Sequence, residues 1–257
     1  MNISVPPVIH SLWSQGMDGA PEIVHACFNR WRAFNPEYDL RIYHQADVER
    51  LLRDAFPFMA SIPVQALSDI FRARLLLEEG GIWVDATVYP SYPLRQWLPE
   101  AIAGTGFFAF SSPGADRLIS SWFLAASPGH LLMQAWWREI CRFWSAPRSM
   151  TNYSGKMIPP DPLATVSAAG NTPGAYPYFW FHYLFHYALE TNPDCKAAWD
   201  DCKKLAAIPA TLLQQLVRTN RNPTAHEIME ATQCAPVQKL DWRLKYLLAG
   251  DEIVPAR

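Results

Sequence analysis

Asp69 and Arg72 stand three residues apart in the run SDIFRARLLLEEGGIWVDATVYP, Ser68 to Pro90. On a helix, that spacing places an acid and a base on one face. Gly80-Gly81 then breaks the run, and Trp83, Asp85 and Thr87 follow at alternate positions. In a strand, alternation turns these three side chains to one face. An aromatic ring, a carboxylate and a hydroxyl at the carboxyl end of a strand make a ligand arrangement, because open α/β sheets bind ligands there. A hard divalent cation, held by one or two carboxylates and completed by phosphate oxygens, fits such a set. The competing readings are a loop-capping Asp85 and a surface ion pair between Asp69 and Arg72, which would stabilise weakly.

Two later stretches carry further candidates. His182, His186 and Glu190 are spaced i, i+4 and i+8 in FHYLFHYALE, a spacing that can chelate a metal on a helix. Their aromatic neighbours Tyr183, Phe185 and Tyr187 favour a core or acceptor-site reading instead. In QKLDW, Lys239 is a cation suited to closing over a diphosphate, and Trp242 could help the same loop exclude water. Other chemistry finds no motif. There is no GxxxxGK[ST] phosphate loop and no GxSxG elbow. His226-Glu227 lacks the second histidine of HExxH, and Gly104 to Ala109 matches GxGxx[GA] only ahead of a strand.

The elements that must position these residues read as follows. Val5 to Trp13 and Tyr38 to Tyr43 form strands, with a helix over Pro21 to Asn35 between them. A short helix covers Asp47 to Ala55, with Asp47 as its cap. Ser68 to Glu79 is a helix stopped by Gly80-Gly81, and Ile82 to Val88 is a strand. Gly106 to Ser111 and Ser120 to Ala126 are strands, and Leu131 to Trp144 is a Trp-rich helix. Residues 145–177 are a proline-rich loop, followed by helices over Phe179 to Thr191 and Asp194 to Leu205. Strand–helix alternation predicts an α/β fold with a mostly parallel sheet and a helical C-terminal elaboration. One domain spans 1–257, an α/β part over 1–126 and a mainly helical part over 127–257.

Composition sets outer bounds. Half of the 257 residues are apolar and 18% are charged, a globular balance. The net charge of −2 gives no global basic face for nucleic acid. Five scattered cysteines without a CxxC pair suggest a reducing compartment with buried thiols. The N-terminal segment lacks the pattern of a signal peptide, and no apolar run is long enough to span a bilayer, so a cytoplasmic protein is expected. The Trp-rich stretch 122–144 reads as core, with contact to a membrane surface or an acceptor as the alternative.

The unit SD-x-x-R-(x)7-GG-x-W-x-D resembles the sugar-nucleotide glycosyltransferases of the GT-A fold. It is most similar to the capsular polysaccharide synthesis proteins and to related DXD-type enzymes, including the Och1-like mannosyltransferases and the clostridial glucosylating toxins. IHSLW (Ile9 to Trp13), ISSWFLAASPGH (Ile119 to His130), FHYLFHY (Phe181 to Tyr187) and KLDW (Lys239 to Trp242) resemble further family segments. The resemblance implies hexosyl transfer from a nucleotide sugar, a UDP-sugar first, to a saccharide acceptor that could be lipid-linked, with retained configuration. It places Leu12 and Trp13 at the uracil, Asp69 on the sugar hydroxyls, and Arg72 on sugar or diphosphate. Trp83 would flank the ribose and Ser121 would lie near the donor sugar. Asp85 would bind manganese or magnesium, with His182 as a metal or diphosphate contact and Lys239 and Trp242 closing over the donor. A peripheral position at the inner membrane face is the alternative to a freely cytoplasmic one, should the Trp-rich stretch touch the membrane. Thr87 stands where many GT-A enzymes have a second acid; the capsular group tolerates this form, and the lost carboxylate weakens the implied metal site and shifts diphosphate charge onto Arg72, Lys239 or His182. A catalytically silent sugar-nucleotide module and a hydrolase using His182, His186 and Asp85 are the alternatives.

Overall fold

Short apolar strands separated by amphipathic helices build a five-stranded sheet in this computed structural model, which describes residues 4–150, 158–168, 174–220 and 222–255. β1 (Val8–Leu12) leads into α1 (Glu22–Phe34), whose Ile23, Val24, Cys27, Phe28 and Trp31 recur at helical spacing and are buried. β2 (Asp39–Tyr43), α2 (Gln45–Leu52) and α3 (Val64–Glu78) follow, then β3 (Gly81–Val84), β4 (Val88–Pro90) and the single turn α4 (Leu98–Ala101). β5 (Phe107–Gly114) and β6 (Arg117–Ala126) form a hairpin, and α5 (Leu131–Phe143) closes this half. The remainder is β7 (Arg148–Met150), α6 (Pro162–Ala168), β8 (Gly174–Tyr176), α7 (Trp180–Thr191), α8 (Pro193–Asp200), α9 (Leu212–Thr219), α10 (Ala225–Gln233) and β9 (Val237–Lys239).

The sheet order is β2-β1-β3-β6-β5. β1 pairs in parallel with β2 and β3, whereas β6 is antiparallel to both β3 and β5. The expected α/β class holds, with a mixed sheet. The reversal at β6 has a local cause: a hairpin this tight can only return antiparallel. Period-two alternation divides the core. Trp83, Phe107, Ala109, Leu124 and Ala126 pack on one face, under α3, α5 and α7. Ile82, Val84, Phe108, Phe110, Phe123 and Ala125 pack on the other, with Trp31 of α1. Trp136 and Trp144 are fully buried, so these two tryptophans of the 122–144 stretch belong to the core.

Several boundaries differ from expectation. α2 begins at Gln45, and Asp47 is not the cap. It sits in the first turn and accepts the His44 N–H at 2.9 Å in a capping box. α3 begins at Val64, directly after Pro63, four residues ahead of Ser68. The helix expected over Asp194 to Leu205 is shorter, starting at Pro193 under an Asn192 cap and ending at Asp200. The loop expected at 145–177 contains β7, α6 and β8, and its remaining parts 151–157 and 169–173 lie outside the described residues. Of the thiols, Cys27, Cys195 and Cys202 are buried and Cys234 is exposed. Most consequential, the strand expected over Ile82 to Val88 is two strands. The Val88 N–H closes onto the Asp85 carbonyl at 2.8 Å, making a turn between β3 and β4. β4 then leaves the sheet and pairs antiparallel with β9.

The Gly80-Gly81 junction aims that turn. Both residues have positive φ, +68° and +97°. A Cβ on Gly80 would stand 2.6 Å from Pro128 Cδ, and one on Gly81 would stand 2.8 Å from the Val8 carbonyl oxygen. His10 of β1 braces the junction. Its Nε2 donates to the Gly80 carbonyl at 3.0 Å, and its Nδ1 accepts from the Tyr43 hydroxyl at 2.9 Å. Burial lowers the His10 pKa to about 4, which keeps the ring neutral and in this tautomer. Gly81→Ala is therefore expected to lower stability by about 2–4 kcal/mol. Gly19→Ala, where a Cβ meets nothing within 4 Å, should change the thermal midpoint little. Equal midpoints for the two variants would refute this account of the junction.

Candidate active site

The carboxyl ends of β1 and β3 lie side by side. His10 is in register with Trp83, so Leu12 and Asp85 fall two residues on, at the same sheet edge. β6 runs the other way and brings Ser121 and Trp122 to that edge. The Asp85 N–H donates to the Trp122 carbonyl at 2.9 Å. α3 lies against the sheet and presents Ser68, Asp69 and Arg72 one turn apart.

Arg72 is the hub. Its side chain is only 7% exposed. Nη1 donates to the Ser121 carbonyl at 2.8 Å, Nε to the Ser68 carbonyl at 3.3 Å, and Nη2 to the Ser68 hydroxyl at 3.2 Å. Nη2 also lies 3.2 Å from Asp69 Oδ1 and 3.4 Å from Asp85 Oδ1. The guanidinium sits 4.9 Å from the Trp83 ring centroid, a cation–π distance. A guanidinium so committed positions the two acids. The direct contact with sugar or diphosphate expected of it would require it to give up these bonds.

Asp85 is held from every side. Trp83 Nε1 donates to Oδ1 at 3.1 Å, and the Lys239 ammonium lies 3.2 Å from Oδ2. Lys239 also donates to the Thr87 hydroxyl at 2.6 Å. Burial alone would raise the Asp85 pKa, but Lys239, Arg72 and the Trp83 N–H outweigh it and hold the carboxyl below its usual range. Asp69 goes the other way. Burial pushes its pKa up to about 6; Arg72 opposes the rise and the Asp85 charge adds to it. Two carboxylates on one guanidinium are thus separated in acidity by their surroundings.

The sequence-derived residues distribute unevenly. Asp69, Arg72, Asp85 and Lys239 form one cluster. The strand alternation expected to align Trp83, Asp85 and Thr87 does not operate; the turn after Val84 brings Asp85 and Thr87 to Lys239 instead. Trp83 is 1% exposed and packs edge-on against Phe71. It has no free face for a ribose here, and its indole N–H steadies Asp85. Ser121 is buried and meets the cluster through its carbonyl. Leu12 and Trp13 are half-buried at the end of β1. Trp13 packs edge-on against the half-exposed Trp242, ring centroids 6.2 Å apart, and its indole N–H is buried without a partner. His182 lies within electrostatic reach of Arg72 and Asp85, with Nδ1 buried and unpartnered. Burial, with Arg117 and Arg72 adding to it, lowers its pKa to about 3. His186 instead faces Glu190 at 3.7 Å.

Two participants were given no role from sequence, and Thr87 has a different one from that expected. Ser68 is an acceptor for Arg72, and the i, i+4 spacing was its only signal. Thr87 looked like a missing acid, yet it is a hydroxyl acceptor for Lys239. Tyr178 is exposed and close enough to feel the charges of Asp69, Asp85, Arg243 and Arg72. It lies in the segment that leads into α7.

The implied divalent cation does not fit the donor set as it stands. Both Asp85 oxygens are engaged by cations or an N–H, Thr87 is neutral, and Lys239 already lies between them. Among the described residues, no three His, Cys, Asp or Glu side chains converge as a metal group.

Known proteins place the chain. The yeast (Saccharomyces cerevisiae) protein named "Putative glycosyltransferase HOC1" is 23% identical over 154 residues, covering 52% of this chain and 38% of that protein. The aligned stretch is thus about two fifths of that relative's length. The solved PaToxG glycosyltransferase aligns over 91% of this chain and 88% of its own, at 12% identity and a TM-score of 0.45. The UDP-bound glycosyltransferase domain of the YGT toxin aligns over 91% and 76%, at 10% identity and a TM-score of 0.39. The family described as capsular polysaccharide synthesis protein matches residues 2–155, more than half of the chain and the whole of the SD-to-Asp85 unit. With the Asp69–Arg72–Asp85 cluster lying inside that match, the chain belongs to the capsular polysaccharide synthesis protein family.

Proposed function

We propose that this chain is a GT-A-type glycosyltransferase that moves a hexosyl unit from a nucleotide sugar, a UDP-sugar, to a hydroxyl of a saccharide acceptor in capsular or other surface polysaccharide synthesis. The observation that carries this reading is the Asp85–Arg72–Lys239 cluster at the carboxyl edge of the sheet, in a chain of this family. Trp13 and Trp242, edge-to-face at that edge, are the surfaces for the base. The part beyond residue 126 would serve the acceptor. No described helix is long and apolar enough to cross a membrane.

The bond from the anomeric carbon to the β-phosphate oxygen breaks, and its electron pair leaves with the nucleoside diphosphate. The acceptor hydroxyl oxygen bonds to the anomeric carbon, and its proton passes to the departing diphosphate. Configuration is retained in this reading, and no side chain acts as nucleophile. Negative charge develops on the diphosphate, where a fixed cation is most effective. Lys239 is that cation. Asp85 fixes the ammonium, and Arg72 fixes Asp85. Asp69, ionised above about pH 6, is available to the donor sugar hydroxyls as an acceptor.

Asp85→Asn should lower transfer from a UDP-sugar by about a hundredfold or more, with the far-UV spectrum retained and the thermal midpoint lowered, because Arg72 and Lys239 lose their shared carboxylate. Near wild-type turnover would remove Asp85 from the site. A thermal-shift screen of nucleotide sugars identifies the donor, because a ligand bound only by the native state raises the midpoint. A donor that binds but yields neither transfer nor hydrolysis would make the chain a binding module.

Asp69 links pH to stability with a definite sign. Its native pKa, about 6, lies above the model-peptide value of 3.8, so the native state holds the proton more tightly. That contribution is complete below about pH 4 and is lost as pH rises through about 6. Asp69→Asn should therefore stabilise the protein at pH 7.5, by on the order of 2 kcal/mol, with the gain vanishing near pH 4. Arg72 keeps Asp85 and both serines as partners in this variant. Denaturation midpoints at the two pH values decide it, and a variant less stable at pH 7.5 would reverse the assignment.

A further inference from the structure

The turn Asp85-Ala86-Thr87 offers two side-chain oxygens to Lys239, Asp85 Oδ2 and Thr87 Oγ1. Lys239 Nζ lies 3.2 Å from the first and 2.6 Å from the second. The remaining carboxylate oxygen, Oδ1, is taken by Trp83 Nε1 and Arg72 Nη2. A divalent ion using this turn would have to occupy the position the ammonium fills. Two cations cannot share it, because like charges at contact distance repel strongly in a partly buried site.

The lysine is built into this place by its backbone. β9 pairs with β4 so that Lys239 stands opposite Val88, and the Leu240 N–H donates to the Thr87 carbonyl at 2.9 Å. Its side chain remains 23% exposed. An ammonium has three donors, and with two committed to Asp85 and Thr87 one remains for a phosphate oxygen. Thr87 is consistent with this arrangement. A second acid there would favour a metal, whereas a hydroxyl accepts the lysine proton without adding charge.

We propose that the Lys239 ammonium takes the place of the divalent cation, so that this chain binds the diphosphate of its donor and performs transfer without a metal. The inference rests on the nucleotide-sugar reading above and names the group that replaces the ion expected from the resemblance. The lysine keeps its protons throughout; it neutralises charge on the oxygen that receives the bonding pair.

Calorimetry of the full chain with UDP as the probe, in EDTA and in excess manganese, tests it. Wild-type protein should bind UDP with the same affinity in both. Lys239→Met keeps the aliphatic stem and removes the charge. It should weaken UDP binding in EDTA by about ten- to a hundredfold, the loss of a charge-assisted hydrogen bond. Manganese should restore part of that loss in the variant alone, because Asp85 Oδ2 and Thr87 Oγ1 are then open. Lys239→Arg should remain metal-indifferent, and thermal melts of both variants confirm that they fold. Wild-type binding that requires manganese, or a specific manganese site on the wild type without nucleotide, overturns the inference and leaves the donor reading standing. Absence of UDP binding under both conditions, with a different nucleotide diphosphate bound in EDTA, changes the base and keeps the inference. Absence of binding by every nucleotide diphosphate removes both.

Discussion

A buried guanidinium governs this molecule. Arg72 is a permanent charge in a place with little solvent, and it is tolerable only because oxygens surround it. Those oxygens come from three separate pieces of chain: Ser68 and Asp69 on α3, Asp85 on the turn after β3, and the Ser121 carbonyl on β6. The same contacts therefore join the helix to the sheet and set the two acids at their separation. Removing Asp85, whose carboxylate Arg72 and Lys239 share, would cost far more than the pair contributes, because the two cations are stranded. Fold and site share this one requirement.

The rest of the local architecture follows from delivering Asp85 to Arg72. β3 must end early, and the turn must face α3 rather than continue along the sheet. The Gly80-Gly81 backbone sets the entry, with His10 neutral and bridging Tyr43 to Gly80 behind it. Trp83 lies beneath, giving its ring to the guanidinium and its N–H to the carboxylate. Trp31 of α1 donates to the Val88 carbonyl at 2.8 Å, holding the exit strand. Against this fixed frame, Asp69 is left partly desolvated with a raised pKa. Strain of that kind is what functional sites retain at the expense of stability.

Legibility in the sequence followed distance along the chain. The Asp69–Arg72 pair and the Gly-Gly junction were readable because i, i+3 spacing and glycine chemistry are local. The helix start was placed four residues late, and α3 begins at Val64, directly after Pro63 and with no side-chain cap to mark it. VDATV alternates and carries β-branched residues, so it reads as strand. What ends the strand is pairing of β4 with β9, some 150 residues away, and periodicity cannot report that. Trp83 was assigned to the ligand by its face, yet that face is covered by Phe71 and Arg72. Lys239 could be named from its surroundings, but its bond to Thr87 belongs to the tertiary fold alone.

The charge balance of the cluster shows why its geometry matters more than its composition. Asp69 and Asp85 against Arg72 and Lys239 sum to zero when all are ionised. A diphosphate added to a neutral cluster gains little from distant charges, which solvent screens. It gains from a cation of the cluster that solvent still reaches, and the Lys239 side chain is partly exposed. Arg72 cannot be that cation while it bridges both acids, and His182 is uncharged at neutral pH because burial and two arginines disfavour its proton. Lys239, bonded to Asp85 and Thr87 and still partly exposed, is the cation of the cluster with a proton left to offer.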